Sequence, residues 1–600
     1  MTNIRELNIE GVWGWQYSAE LQGKLPNLQR LRLIKPTCQW DTSEDVDNAF
    51  TDKTSMEILD LSGNSDMKNL PTSLSKARSL EMLILDGCDG LENVGRLPSS
   101  LKYFSFDGHG PASQWTQTIE LPPKQFWPST TIDNNDSRIS KISLEGCTQL
   151  ENLYLCGLPN LVELDLSGTM IKVLDFNSMV VQVPRLKRLF LIGCKRLRAI
   201  VSLPESGSEV KHDLQLMCMD TRVGTVCPRP SINRTKSFRF KLHVVVMDAR
   251  LTRSLKDGLS PYLYGFPPVD VYYNIHVTSS PVYDGLVQSE AAGKNKIGPG
   301  DQESLQQLLP AGLYSDVLCM VGVGDTPMQA FPQPPTIQLD RHIEIGKGSC
   351  YVGSELSRKL GELVGSSAES LHIHDVLIHA TVPQYYWFGF LKWCCVERCP
   401  KLDVVFPWLS CGFDNLETFW ASDLLMARWI WSKASGNIIF PRTDSFRNLQ
   451  QIHLRSCLGL QFVLPLLVSS FPSLKTLHII HCGELSHVFV LYEKITTHDV
   501  SFPKLTTIHL HDLPKLQQIS SNFMMVAPAL ESIKIRGCWS LRRLPFVGAR
   551  GQGEKKPAVE MEKDVWDALE WDADHRPDHF EAPLHSRYYK AKLPRVSVLR

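Results

Sequence analysis

The chain has 600 residues, 63 basic and 64 acidic side chains, and a formal charge of −1. That balance supplies no long-range field for nucleic acid or acidic lipid, and no apolar run is long enough for a membrane span. The 16 cysteines occur without a signal peptide, so a reducing compartment, cytoplasm or nucleus, is expected.

In chain order, Ile4, Leu7 and Ile9 open on a strand pattern, as though the array were entered midway, and further chain is expected before it. Leu28–Leu33 follows the same alternation, and Met56, Leu59, Leu61 and Asn64 add a polar turn residue. The full phrase L-x-x-L-x-L-x-x-C-x-x-L then runs Leu80–Leu91, Ile139–Leu150 and Leu186–Leu197, with weaker copies at Leu101–Phe106 and Leu161–Thr169. It returns at Leu449–Leu460, Leu474–Leu485 and Leu530–Leu541, with weaker copies at Leu391–Leu402 and Leu505–Leu516. The alternating apolar pair puts two side chains on one face of a short strand and the residue between them on the other. One such strand cannot bury its apolar face alone, and stacking makes a parallel sheet over a continuous core. This is leucine-rich-repeat spacing.

The predicted fold is therefore an α/β solenoid: an irregular leucine-rich-repeat horseshoe with a continuous parallel β-sheet on the concave face and long variable outer loops. Cys88, Cys147, Cys194, Cys399, Cys457, Cys482 and Cys538 fall at the turn, where packing explains them without disulfides. The division expected is 1–203 N-terminal repeats, 204–370 degenerate repeats with long loop insertions, 371–545 C-terminal repeats, and 546–600 a linker and capping tail. In the middle stretch the strands near 242–246, 271–277, 316–321, 342–345 and 371–374 keep near-repeat spacing. This favours degenerate repeats over an inserted domain. Ala249–Leu259 reads as an outer helix, 281–303 as a mobile loop, and Met561–Trp571 as an amphipathic helix sharing Val565, Trp566 and Leu569 on one face.

Two polar stripes follow from the register. Between and beyond the core pairs of the C-terminal repeats stand His453, His478, His509, His511, Lys534 and Arg536; in the N-terminal repeats the same columns hold Asp60, Asp86, Asp107, Glu145 and Asp165. Both are expected to contact a protein partner on the concave face, and the C-terminal stripe is expected to face solvent there with little packing duty. The histidines are expected to titrate near pH ~6.5 and make binding sensitive to mild acid. Three imidazoles on adjacent strands are within reach of one Zn ion in principle, but no carboxylate or thiolate pairs with them, so no metal is assigned. Cys394, Cys395, Cys399 and Cys411 are likewise given no metal, since Cys399 sits at a turn and Cys394 at a core position. His372 and His374 read as surface. The tryptophans between Trp387 and Trp431 read mostly as packing, with a few as interface anchors. No G-x-S-x-G, H-E-x-x-H or similar nucleophile motif occurs, so neither catalysis nor a cofactor is expected.

Phe471–Leu485, Phe502–Leu516 and Leu530–Pro545 add an F-P-x-L-x-x-L opening in two copies and a Cys turn in two. With Trp566–Trp571 after the last repeat, they resemble the repeats of plant intracellular nucleotide-binding leucine-rich-repeat immune receptors, especially the coiled-coil class of grasses. The resemblance covers about 1–203 and 386–545. It implies a sensing and autoinhibitory module that binds a pathogen effector, a guarded host protein or receptor signalling domains. A generic repeat scaffold, decoy or ubiquitin-ligase adaptor is the alternative. Such receptors also bind nucleotide through G-x-x-x-x-G-K-[ST]; no such string occurs here, and Gly346–Ser349 is the nearest approach, so nucleotide binding is not carried over.

Overall fold

The computed structural model describes residues 3–11, 24–34, 50–108, 118–121, 137–176, 183–201, 214–220, 240–246, 271–278, 340–348, 363–377, 388–406, 412–431, 446–466, 471–491, 499–521, 524–547, 555–571 and 577–585, with single residues at 251, 254, 255 and 257. The chain forms two compact units, Met1–Thr278 with Asp340–Glu344, and Ser279–Leu339 with Ile345–Arg600. Both are stacks of leucine-rich repeats.

In the first unit one parallel sheet contains β1 (Glu6–Glu10), β2 (Arg30–Ile34), β3 (Ile58–Asp60), β4 (Met82–Ile84), β5 (Tyr103–Ser105), β6 (Lys141–Ser143), β7 (Glu163–Asp165), β8 (Arg188–Ile192), β9 (Leu214–Met219), β10 (Phe240–Val246) and β11 (Val271–Thr278). Each pairs in parallel with the next. The core residues stay in register: Leu31, Leu59, Leu83, Phe104, Ile142, Leu164, Leu189 and Leu216 form one buried row. The degenerate stretch near 242–246 and 271–277 thus keeps the repeat frame. The strand near 316–321, the loop at 281–303, Cys411 and most of the helix at 249–259 lie outside the described residues.

Strand β12 (Arg341–Gly348) falls at the division between the units. The second unit stacks β13 (Ser370–Val376), β14 (Trp393–Glu397), β15 (Thr418–Ser422), β16 (Gln451–Arg455), β17 (Thr476–Ile480), β18 (Thr507–His511), β19 (Ser532–Arg536), β20 (Ala558–Met561) and β21 (Leu584–His585), again all parallel. Leu477, Ile479, Ile533 and Ile535 are fully buried, which fixes which face is core. Behind the strands, Phe388, Phe413 and Phe446 stack at 5.1 and 5.3 Å between ring centroids, and Phe471 stacks on Phe502 at 5.3 Å. Each stands three residues before the phrase's first leucine, so the F-x-x-L opening builds an aromatic spine from repeat to repeat. Trp431 is wholly buried against that spine.

After most of the described strands the turn is left-handed. In the first unit it falls on glycine, as at Gly63, Gly87, Gly146, Gly168 and Gly193. In the second unit the same position is Asp375, Arg398, Asp423, Ser456, His481 and Asp512, with φ between 49 and 56°, and then Gly537. The left-handed turn lets the amide reach the next repeat: Ser456 N donates to Ile480 O at 2.9 Å, as Gly168 N does to Ile192 O at 2.7 Å. The cysteine that follows is a donor as well as a filler. Cys88 Sγ donates to Leu61 O, and Cys147 Sγ to Phe106 O, both at 3.1 Å; Asn64 Nδ2 serves Leu33 O in the same way at 3.0 Å.

The tail differs from its expected helix. Residues 558–561 form a strand because Val559 and Met561 alternate inward while Glu560 points outward, and the helix is confined to Lys563–Asp567. Val565 and Leu569 are buried, while Trp566 lies half-buried against Trp571 and Phe580 at 5.3 and 6.4 Å.

Candidate functional site

The sheet face turned away from the core carries the polar stripes. In the second unit one register row runs His372, Cys395, Trp420, His453, His478, His509, Lys534 and Glu560. The row beside it runs His374, Glu397, Ser422, Arg455, Ile480, His511 and Arg536. The strand register places the six expected residues on this face.

Their exposure needs correction. His453 and His478 are buried, at 5% and 9% relative accessibility. Strands ~4.8 Å apart bring flat rings in one row into contact, and the rings shield one another. His453 stacks on the Trp420 indole at 4.1 Å with planes 15° apart, His478 lies 5.6 Å from His453, and His509 meets His478 edge-on at 5.1 Å. These residues therefore have a packing duty. His509, His511, Lys534 and Arg536 are half-buried, and Arg536 pairs with Glu560 at 2.5 Å.

The titration expectation is corrected too. Burial pushes His453 down to about 4 and His478 to about 3, with neighbouring imidazoles adding to the fall. Burial also pulls His511 to about 4, and His509 is lowered by burial and then by Lys534. His453, His478 and His511 therefore stay neutral through mildly acidic pH.

In the first unit Asp60 is buried at 4% and paired with Arg32 at 3.2 Å while accepting from the Ser62 amide at 3.1 Å. It is a structural acceptor at the turn and no open contact residue, which overturns that part of the acidic stripe. Asp165 accepts from the Ser167 amide at 2.9 Å, Asp107 from the Gly87 amide, and Asp86 from Ser105 Oγ at 2.7 Å. Burial raises the Asp86 carboxyl, and the Asp107, Asp60 and Glu145 charges push the same way. Of the five acids Glu145 is the exposed one. Next to this stripe, Glu163 bridges Lys141 and Arg188, both at 2.8 Å, across three strands.

The sequence reading missed a network at the start of the second unit. His372 Nε2 meets Glu397 Oε1 at 3.1 Å, Arg398 Nη1 holds Glu397 Oε2 at 2.9 Å, and Arg398 also grips Asp375 in a fork at 2.9 and 3.1 Å. Asp375 in turn meets His374 Nδ1 at 2.8 Å. Burial opposes ionisation of Glu397, but the His372 hydrogen bond and the Arg398 charge win and hold its carboxyl low. The signal available was register: His372 and Glu397 stand diagonally across neighbouring strands. Trp393 and Trp420, which the sequence left among packing and anchor residues, flank Cys395 on this face and are buried with it.

A family model of plant disease resistance protein RPS2-like leucine-rich repeats matches residues 430–547, the stretch containing the histidine ladder's core. This repeat region is similar to those of plant disease resistance proteins. Disease resistance protein SUMM2 of Arabidopsis thaliana is 30% identical over 135 residues, 22% of this chain and 15% of that relative. Disease resistance protein RPS5 of the same plant is 30% identical over 136 residues, again 22% and 15%. The aligned stretch is thus a small part of those relatives' length. The crystal structure of a TLR13–ssRNA13 complex aligns over 94% of this chain and 83% of that one at 12% identity, with a TM-score of 0.26, a likeness too slight to bear on function. Among the described residues no helix is long and apolar enough to cross a membrane.

Proposed function

We propose that this chain is a protein-recognition module of plant innate immunity, acting inside the cell by binding and without catalysis. Its partner is a pathogen effector, a guarded host protein or the signalling domains of a receptor. The observation that supports this reading is the similarity of residues 430–547 to disease-resistance repeats over the same strands that present His509, His511, Lys534 and Arg536 half-exposed. His453 and His478 pack beside that surface in the same register row, and Glu145, with Asp86, Asp107 and Asp165 beside it, gives the first unit an acidic counterpart. Complementary charge on a partner would set orientation and encounter more than affinity. Binding switches a response only if the partner contacts the resting and active arrangements differently.

The test places opposite charge on each stripe in challenged plant tissue. His511→Glu with Lys534→Glu should abolish the effector-triggered response and co-precipitation of the partner while the protein accumulates normally. Glu145→Lys reports on the acidic stripe. A response equal to wild type in both variants would remove this face as the recognition surface.

A further inference from the structure

The cluster His372, Cys395 and Glu397 brings three different metal-ligand types together, and nothing above uses it as one. We infer that it is a binding site for a divalent transition metal of the zinc class, an inference that stands apart from partner recognition. The imidazole and the thiol are direct cross-strand neighbours, and the carboxylate lies two residues along on the same face. One ligand atom from each lies within 4.8 Å of the other two. Zn–ligand bonds of ~2.0–2.3 Å set neighbouring ligand atoms in a tetrahedron well under that span, so small side-chain rotations suffice.

The surroundings fit. Among the described strand residues of β13–β20, Cys395 is the cysteine that faces away from the core; Cys394 beside it is buried on the opposite face. Packing at a turn, which explains the repeat cysteines, does not explain Cys395. Trp393 and Trp420 wall the thiol off from water, so it is 2% exposed, while the His372 side chain at 23% keeps a path to solvent. The carboxylate is already aimed. Arg398 at 2.9 Å and Ser422 Oγ at 3.4 Å hold Oε2, which leaves Oε1 toward His372. Outer contacts of this kind orient ligands at metal sites.

Binding balances as follows. The metal takes the place of the hydrogen between His372 Nε2 and Glu397 Oε1, and that hydrogen moves to Nδ1. The Cys395 thiol releases one proton to solvent. Thiolate and carboxylate then neutralise the dication, while Arg398 stays paired with Asp375. Three protein ligands leave the fourth tetrahedral position for water or a side chain of another molecule.

The experiment uses Zn2+ and Co2+ as probes on the purified full chain. Competition against a chromophoric chelator should give one Zn2+ per chain, weakened tenfold or more by His372→Gln and by Glu397→Gln. Co2+ should produce a thiolate-to-cobalt charge-transfer band that Cys395→Ser removes while circular dichroism stays unchanged. The wild-type band is informative even if a variant unfolds. No such band in the wild type, or Zn2+ binding unchanged in all three variants, would overturn the inference, the latter placing the metal on other histidines.

Discussion

Acidification should loosen the second unit through His453 and His478. Their folded-state values, about 4 and about 3, lie below the ~6.5 of an unfolded imidazole. The folded chain therefore binds fewer protons, so this contribution is complete above pH ~6.5 and is lost as pH falls toward pH ~4. At pH ~5 an unfolded imidazole is almost fully protonated while His453 in the ladder is mostly neutral, which costs about 2 kcal/mol for that residue. His478 has a comparable effect of its own, and because both rings stay mostly neutral in the folded chain at this pH the two add. The assay is urea unfolding at pH 7.5, 6 and 5, with Trp420 emission as a probe because its indole stacks on His453. His453→Phe with His478→Phe keeps flat rings in the row and removes both titrations. Wild type should lose about 4 kcal/mol more than this variant between the two ends. Equal slopes for the two proteins would refute the buried, neutral ladder.

Two further outcomes test the frame. Leu477→Ala should cost ~2–5 kcal/mol in unfolding free energy, since the side chain is wholly buried between β16 and β18 and leaves a cavity; a change near zero would mean that the strand faces are exchanged. Ser456→Gly should stabilise by about 0.5–1 kcal/mol by relieving its left-handed backbone, whereas Gly87→Ala should cost about 1–2 kcal/mol. A Cβ at Gly87 would also sit 3.2 Å from the Gly63 backbone. Thermal melts of both variants decide it, and opposite signs from those stated would show that the turn is relaxed in both units.

The core was legible because its rule is local. Period-two alternation and a repeated spacing place Leu189, Leu191, Ile533 and Ile535 inward without knowledge of any neighbour. Exposure on the other face is decided across strands. His453 is covered because Trp420 and His478 stand beside it, and Asp60 because Arg32 reaches over one strand. Those partners are about 25–33 residues away in sequence and become visible only once register is known. The same holds for the Cys395 cluster, whose members look unrelated until β13 is laid against β14. The left-handed turns were hidden for another reason: glycine announces that conformation, while Arg398, Ser456 and His481 give no compositional hint of it.

The two units differ in what their turns leave open to change. A glycine turn offers a partner only backbone, and replacing it meets strain at once. Along the second unit the turn already accommodates acid, guanidinium, hydroxyl and imidazole in one left-handed geometry, each side chain fixed at the edge of the sheet by an amide bonded to the next repeat. That edge is a linked row: Arg398 grips Asp375 of the repeat before it and His481 meets Asp512 of the repeat after it at 3.1 Å, so a new side chain at one turn is felt at its neighbour while the core leucines stay as they are.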